Sequence, residues 1–261
     1  MSAHIIAVAN QKGGVGKTTT VVNLAASLVE KKFSVLIVDL DPQGNATTGS
    51  GINKGNVTSG VYAVLLGNEE IRNAIMTAQH GGFHVLPANR ALAGAEVELV
   101  QELAREMRLK NALAQINDQY DYIIIDCPPT LTLLTINGLV AARHIIVPML
   151  CEYYALEGIS DLIATVRKIR QAINPQLDIL GIVRTLYDPR SLLAKQVDEQ
   201  LSTHFPDKLF TTPIPRNIRL AEAPSHGMPA LQYDPRATGT KAYLALADEI
   251  LARTAGKYKI P

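Results

Sequence analysis

Short runs of consecutive apolar residues alternate along the chain with longer segments in which apolar residues recur at every third or fourth position. Consecutive apolar residues predict strands buried on both faces, whereas the wider spacing predicts amphipathic helices. The predicted strands lie at residues 5–9, 34–38, 83–86, 122–126, 144–148, 178–183 and 209–213. Because strands and helices alternate throughout, we expect one α/β domain over residues 1–261, with a mostly parallel twisted sheet and helices on both faces.

The helices are predicted from the spacing of their apolar residues. They lie at residues 18–31, 95–116, 131–142, 157–173 and 240–253, with one more around Val197. In the segment 95–116, Val100, Leu103 and Met107 recur at helical spacing. Residues 45–56 are rich in glycine and threonine and predict a mobile loop, and residues 57–81 predict short helices.

The composition is that of an ordinary globular protein. Apolar residues make up 47% of the 261 residues, and 25 Lys and Arg nearly balance 24 Asp and Glu, so any nucleic-acid site must be a local patch. Cys127 and Cys151 give neither a disulfide framework nor metal-ligand spacing, as expected of a cytoplasmic protein. We find neither a signal peptide nor an apolar stretch of about 18 residues, the length of a membrane span.

Residues 11–20, with the sequence QKGGVGKTTT, lie between the first predicted strand and the first predicted helix. Strand, glycine loop and helix form the context of a phosphate-binding P-loop. Three glycines of the loop let backbone N–H groups turn inward around an anion: Gly13, Gly14 and Gly16. Lys17 would contact the terminal phosphates, and the hydroxyl of Thr18 would bind Mg²⁺.

Three aspartates follow predicted strands. Asp39 and Asp41 end the second strand, and Asp126 ends the run of four apolar residues at 122–125 that forms a Walker B pattern. The carboxyl ends of parallel strands lie at one edge of a sheet, which is where ligands bind. We therefore expect all three carboxylates beside the P-loop, with Asp39 and Asp126 holding the water shell of the metal.

Lys12, which precedes the glycines, marks the deviant form of the Walker A motif. The segments KGGVGKTTT, DLDPQGNAT, IIIDCPP, IPRN and EAPSHG follow in this order. With them, the chain resembles the ParA/Soj chromosome-partition ATPases from end to end, within the P-loop superfamily that includes MinD. The resemblance implies a three-layer P-loop NTPase fold, Mg²⁺-dependent ATP hydrolysis, a homodimer in the ATP-bound state and non-specific DNA binding. It also implies stimulation by a ParB-type partition protein and a cytoplasmic, nucleoid-associated location.

The same resemblance implies roles for individual residues. The matching nucleotide-binding residues are Lys12, Gly13, Gly14, Val15, Gly16, Lys17, Thr18 and Thr19, with Pro215 and Asn217 at the adenine. The catalytic residues would be Lys12, Lys17 and Asp41, of which Asp41 orients the attacking water. Lys12 would reach the phosphates of the partner's ATP, as an arginine finger does in trans, and Gly13 would lie where the two backbones approach.

A DNA-binding surface is expected in the C-terminal third, where residues 181–261 carry 11 Lys and Arg against 8 Asp and Glu. Two arginines there, Arg190 and Arg219, match positions that contact DNA in the family, and Arg216 and Arg236 are secondary candidates. The chain departs from many relatives at Met228 and Thr238, where basic residues are common, and at Thr132, where glycine is common. The first two departures reduce the predicted basic patch.

Two other functions are weighed against the partition ATPase. A MinD-like membrane-cycling ATPase needs an amphipathic C-terminal helix, whereas residues 255–261 are few and include Gly256 and Pro261. A metabolic or redox relative with an iron–sulfur cluster needs paired cysteines near the dimer axis. Cys127 and Cys151 are better explained as small buried apolar residues at strand ends.

Overall fold

One sheet forms the centre of the protein. The computed structural model describes residues 2–153 and 155–255, and in these ranges the sheet has seven strands. They are β1 His4–Val8, β2 Val35–Asp39, β3 Met76–Thr77, β4 His84–Leu86, β5 Tyr122–Asp126, β6 His144–Leu150 and β7 Asp178–Thr185. Their order is β3-β4-β2-β5-β1-β6-β7, and every pair is parallel except β3 with β4. The prediction of a mostly parallel α/β sheet is confirmed.

Helices cover both faces of this sheet. They are α1 Lys17–Glu30, α2 Asn45–Gly49, α3 Val61–Leu66, α4 Ile71–Ala74, α5 Leu92–Leu99, α6 Arg108–Ala114, α7 Leu133–Ala141, α8 Ala155–Ala172, α9 Leu192–His204, α10 Ile218–Glu222, α11 Ala230–Tyr233 and α12 Thr238–Thr254. Buried residues of α1 and α12 form one apolar cluster with the sheet, and those of α3 and α5–α9 form another. The molecule therefore has three layers.

The strands are apolar at most positions because both faces of the sheet are covered. In β1, Ile6 and Val8 point to the cluster on the side of α1 and α12, whereas Ala7 points to the opposite cluster. In β5, Ile124 joins the first cluster, and Ile123 joins the second. Successive side chains of a strand alternate between faces, so one short run supplies both cores.

Two elements differ from the prediction. Residues 209–213 form no strand, only a single bridge from Ile182 to Leu209. The carboxylate of Glu249 accepts the N–H groups of Thr211 and Thr212 at 2.8 Å, which would otherwise be available to a neighbouring strand. Residues 45–56, predicted as a mobile loop, instead contain helix α2 and a 3₁₀ turn at Lys54–Asn56.

The single helix predicted over residues 95–116 is also wrong. The chain forms α5, then a 3₁₀ turn at Arg105–Met107, then α6. Ala104 adopts a left-handed conformation (φ 51°), which ends the helical path. Asn137 of α7 fixes the break, because its side-chain amide donates to the carbonyl of Arg105 and accepts the N–H of Leu109. The sequence also gave no indication of β3, a strand of two residues.

Candidate functional site

The glycine loop lies at the carboxyl end of β1 and leads directly into α1. Gly14 (φ 72°) and Gly16 (φ 81°) adopt left-handed conformations that favour glycine. The loop is held by its neighbours: the Thr185 hydroxyl at the end of β7 donates to the carbonyl of Val15 at 2.8 Å, and Asn10 donates to the carbonyl of Pro148 in β6 at 2.7 Å. These hydrogen bonds hold the glycine loop at the edge of the sheet, so the protein itself sets the position of the loop.

A polar cleft of about 290 Å³ opens over this loop. It is lined by Gly13, Gly14, Gly16, Lys17, Thr18, Thr19, Asp41, Asn45 and Pro129. A Cβ atom added at Gly13 or Gly14 would meet no atom within 4 Å, so both glycines face open space. The start of α1 points its free N–H groups at this cleft, which favours an anion there.

Lys17 is the cation at the base of the cleft. Its side chain is 8% exposed, and its ammonium group donates to the carbonyl of Lys12 at 3.0 Å. Burial lowers the pKa of Lys17, and the nearby charge of Asp126 opposes that shift. A buried cation with one carbonyl partner is stabilised further by an anion that enters the cleft.

Thr18 and Asp126 are brought together beside Lys17. The Thr18 hydroxyl donates to Asp126 Oδ2 at 2.7 Å, and in the described part of the chain Asp126 Oδ1 is buried without a hydrogen-bond donor. Burial and the neighbouring charge of Asp39 raise the pKa of Asp126. A hydroxyl oxygen beside an unpaired carboxylate oxygen suits a hydrated Mg²⁺ ion. These residues therefore fit the predicted metal.

Asp39 lies next to Asp126 across the paired strands β2 and β5. Its carboxylate is completely buried and accepts three donors of the following loop: the N–H of Asp41, and the N–H and hydroxyl of Thr47 at 2.8 and 2.7 Å. Burial raises its pKa to about 6 despite these hydrogen bonds. In this geometry Asp39 organises the loop that ends in α2.

Asp41 lines the cleft together with the glycine loop. One carboxylate oxygen accepts the N–H of Gln43 at 2.9 Å, which closes the turn after β2. Asn45, at the start of α2, and Pro129, after β5, line the cleft beside it. Asp41 is thus placed where a carboxylate could orient a water molecule toward a bound phosphate.

Lys12 lies on the exposed side of the loop. Its backbone N–H donates to Asn10 Oδ1 at 2.9 Å, and its ammonium group forms an ion pair with Glu152, just after β6. Both side chains remain about half exposed, so an ion pair of this kind contributes little to stability. The exposed side chain can exchange Glu152 for another anion.

Asn217 and Pro215, the two residues predicted to contact the adenine, differ from each other in their surroundings. Asn217 lines a second, mostly apolar cavity of about 100 Å³, together with Gly16, Thr19 and Tyr243. Its side chain caps α10 by accepting the N–H of Arg219, and it also donates to Thr238 Oγ1 at 2.8 Å. Pro215 instead pairs with Tyr187 through a β-bridge beside this cavity.

The four predicted DNA-binding arginines are all exposed. Arg190 is held by both oxygens of Asp188, and Arg219 forms ion pairs with Glu222 and Asp234. Within the described ranges, Arg216 and Arg236 have no carboxylate at ion-pair distance. The surface of a single chain is therefore only weakly basic.

Two of the departures from the family pattern have structural consequences. Thr238 accepts the side-chain amide of Asn217, so it helps to fix the wall of the smaller cavity. Thr132 precedes α7, and its buried hydroxyl has no hydrogen-bond partner among the described residues. Nothing in the structure explains the choice of Met228.

Four residues at the site were not predicted. Asn45 and Pro129 line the cleft, Thr185 holds the glycine loop, and Glu152 pairs with Lys12. Asn45 and Pro129 could have been found, because each lies within four residues of a predicted aspartate at a strand end. Thr185 is the last residue of β7 and Glu152 lies two residues after β6, and only the order of the strands places them beside the loop.

The chain is similar to known proteins over most of its length. A family model described as AAA domain matches residues 3–179. The chain is 52% identical over 248 residues to the sporulation initiation inhibitor protein Soj of Bacillus subtilis, covering 95% of this chain and 98% of Soj. It is 47% identical over 254 residues to the chromosome partitioning protein ParA of Myxococcus xanthus, covering 97% of this chain and 90% of ParA. The chain is also similar to a solved structure of cobyrinic acid a,c-diamide synthase from Mycobacterium smegmatis, which has an ATP analogue and magnesium bound. The two are 39% identical with a TM-score of 0.87, and the match covers 99% of this chain and 98% of the synthase chain.

Proposed function

The chain belongs to the family of ParA and Soj chromosome-partitioning ATPases, and from this membership we propose that it hydrolyses ATP to control its own attachment to DNA. The observation that supports this most is the arrangement of Lys17, Thr18 and Asp126 below an open, glycine-lined cleft. Phosphoryl transfer needs charge neutralisation and positioning more than covalent chemistry, and these groups can provide both.

Each residue of the cleft then has a defined task. Lys17 leaves the carbonyl of Lys12 to contact the terminal phosphates, and the loop N–H groups bind the remaining phosphate oxygens. Asp41 orients the water that attacks the terminal phosphate. Thr18 would hold Mg²⁺ directly, and Asp126 would hold it through water; when bound, the ion neutralises charge on the phosphate oxygens.

Lys12 acts on the nucleotide of a second subunit. It is exposed at the mouth of the cleft, and its partner Glu152 is an exposed carboxylate that a phosphate can replace. Gly13 has open space above it, which allows a second backbone to approach. The ATP-bound protein is therefore a homodimer, and hydrolysis weakens it by removing the terminal phosphate from the interface.

DNA binding follows from dimerisation. Arg216 and Arg236 offer unpaired charge, whereas Arg190 and Arg219 must exchange carboxylates for DNA phosphates. A single chain binds weakly, and two linked copies bind tightly because the second contact is intramolecular. A ParB-type partner that stimulates hydrolysis would then release the protein from the nucleoid in the cytoplasm.

The alternatives account for less of the structure. None of the helices in the described ranges has the length and apolar character of a membrane span. The hypothesis of a MinD-like ATPase depends on the tail residues 256–261, which lie outside those ranges. A redox relative with an iron–sulfur cluster would bind the cluster through cysteine thiolates. Here burial raises the pKa of Cys127, and raises that of Cys151 to about 11, so neither thiol is activated.

The test is DNA binding at one fixed salt concentration with a non-hydrolysable ATP analogue, with ADP and without nucleotide. We expect the analogue to tighten binding by at least about tenfold, because the dimer doubles the phosphate contacts. Lys12→Ala should abolish this gain and the dimer while leaving monomeric nucleotide binding. Lys168→Ala, at an exposed lysine of α8, is the matched control. Equal DNA binding in all three states would refute the proposal.

A further inference from the structure

The most exposed apolar surface lies away from the P-loop, at the end of α5. Val97, Val100 and Leu103 follow one another at intervals of three residues, and they are 75%, 57% and 89% exposed. We call these three residues the α5 stripe. Val97 lies in α5, Val100 directly follows its last residue, and Leu103 lies in the turn beyond it. Single exposed apolar residues are common, but three this close along the chain are of the kind that marks an interaction site.

The α5 stripe is rigidly held. The opposite side of α5 is anchored by Leu92 and Leu99, which are completely buried. Beyond α5, the Arg105 guanidinium donates to the carbonyl of Val100 at 2.7 Å. Asn137 of α7 in turn binds the carbonyl of Arg105 at 2.8 Å. The exposure of the stripe is therefore a property of a fixed surface, not of a frayed helix end.

The stripe continues into a cleft. Leu103 forms one edge of this cleft of about 660 Å³, which lies between α3, α4 and α6. Val64 and Ile71 contribute apolar surface to its walls, and Glu69 and Glu70 lie at its side. An apolar ridge beside a cleft with polar walls can accept a side chain from one face of a helix.

The cations near this surface are already engaged. Arg105 forms an ion pair with Glu106, and Arg108 forms an ion pair with Glu102. Arg72 donates to the carbonyl of Gln115 at 2.9 Å. The two arginines paired with carboxylates therefore offer little charge to an incoming partner, whereas Arg72 keeps its charge because a carbonyl does not neutralise it.

Four carboxylates around the stripe and cleft have no cationic partner in the described ranges: Glu69, Glu70, Glu96 and Glu98. Glu98 accepts a hydrogen bond from the Tyr62 hydroxyl, and Glu69 accepts one from Asn73. The surface is thus apolar at its centre and negative at its rim. Basic side chains are the complement of such a rim.

We propose that the α5 stripe and its cleft bind a basic amphipathic helix supplied by another protein. The apolar face of that helix covers Val97, Val100 and Leu103, and its lysines or arginines contact the free glutamates. A second copy of this chain is excluded as the occupant, because a symmetric contact would bring the same glutamates together. An anionic lipid surface would be repelled for the same reason.

The probe is a labelled helical peptide of about 16 residues, with leucines at every third or fourth position and arginines beside them. Its binding to the full chain is measured by fluorescence anisotropy at about 0.1 M salt. No nucleotide is present, so the result does not depend on the ATPase proposal. We expect Leu103→Ser, combined with Val100→Ser, to weaken binding by at least about tenfold.

The matched control is Leu192→Ser, which removes a leucine of α9 that is 71% exposed on another surface. It should leave binding unchanged, and all variants should keep their thermal midpoints because the residues are exposed. Glu69→Gln with Glu70→Gln should weaken binding by about threefold and reduce its salt dependence. Equal loss in the Leu192 variant, or equal binding of a peptide with glutamates in place of its arginines, would overturn the proposal. Disruption of the ATP-dependent dimer by Leu103→Ser would also overturn it.

Discussion

The two ends of the central sheet use the same strands for opposite purposes. Strand β5 begins with Tyr122 and ends with Asp126, only four residues apart, and β1 lies beside it over the whole length. At the carboxyl end the neighbours are a glycine loop, a buried lysine and two buried carboxylates. At the amino end they are aromatic rings and histidines that pack against one another.

The carboxyl end retains unfavourable interactions. Asp39 and Asp126 are adjacent buried carboxylates, each with a raised pKa, and Asp126 Oδ1 has no donor in the described part of the chain. Burial also disfavours the charged form of Lys17. Buried groups of this kind are stabilised by a ligand that supplies charge and hydrogen bonds. This end is therefore built for binding at the expense of stability.

The amino end has its interactions satisfied. The Tyr122 ring stacks on His4, with centroids 5.2 Å apart, and meets Phe33 edge-on at 5.4 Å. Its hydroxyl is 2.8 Å from that of Thr254 in α12. Nearby, Lys208 forms an ion pair with Asp178 at 2.8 Å. Each polar group named here has a partner, so this end contributes stability. The comparison predicts that matched substitutions at the two ends affect different properties.

The largest effect is expected for Lys17→Ala. We expect kcat for ATP hydrolysis to fall by at least about 100-fold, because one preorganised charge at the transferred phosphate is lost. The free energy of unfolding should stay constant or rise, since a buried cation is removed. Lys208→Ala at the amino end is the matched control and should lower the free energy of unfolding by about 1 kcal/mol or less, with kcat unchanged. Steady-state kinetics and urea denaturation distinguish the two, and a large loss of stability in Lys17→Ala would contradict the comparison.

The next effect is the reverse case, Tyr122→Ala. Removing a completely packed ring should lower the free energy of unfolding by about 3–5 kcal/mol. Tyr122→Phe, which loses only the hydrogen bond to Thr254, should cost about 1 kcal/mol. In both variants kcat per folded molecule should stay within about twofold, because the ring is at the far end from the cleft. Denaturation curves combined with kinetics on the folded fraction test this, and a tenfold fall in kcat would show that the two ends are coupled.

The residues that lie together at the carboxyl end could be predicted from the sequence because most of them are close along the chain. Residues 11–20 contain the glycines, lysine and threonine in one turn, and the aspartates end apolar runs. Residues that are neighbours in the sequence, or that end strands of one parallel sheet, are therefore neighbours in the structure. The parallel sheet followed for the same reason, from runs that are apolar on both faces.

The contacts that were missed depend on tertiary structure. Thr185 reaches the glycine loop across 170 residues, and Glu152 reaches Lys12 across 140. The apolar spacing of Val100 and Leu103 predicted a continuous helix, but Ala104 and the side chain of Asn137 end it, and both apolar residues are exposed. A hydrophobic pattern alone cannot show which apolar residues have a neighbour to pack against.

The smallest effect concerns pH, because the two ends respond to it in opposite directions. His144 lies 6.4 Å from His4, and burial, with the charge of Arg143, lowers its pKa to about 4. As the pH falls from about 6.5 to 4, the unfolded chain binds a proton at His144 before the folded chain does, so the free energy of unfolding falls. Burial raises the pKa of Asp39 to about 6, so its contribution has the opposite sign between about pH 4 and 6.

The two contributions partly cancel in the native protein, and His144→Gln separates them. The difference in free energy of unfolding, variant minus native, should increase by roughly 1–2 kcal/mol as the pH falls from about 6.5 to 4. This is less than the full value of the His144 pKa shift, because the ring keeps some solvent contact. Above about pH 6.5 the difference between the two chains should be constant. Urea denaturation at several pH values measures it, with His204→Gln at an exposed position of α9 as the control. A difference that does not change with pH would mean that the amino end tolerates a charged imidazole, and that its stability rests on the aromatic contacts of Tyr122 alone.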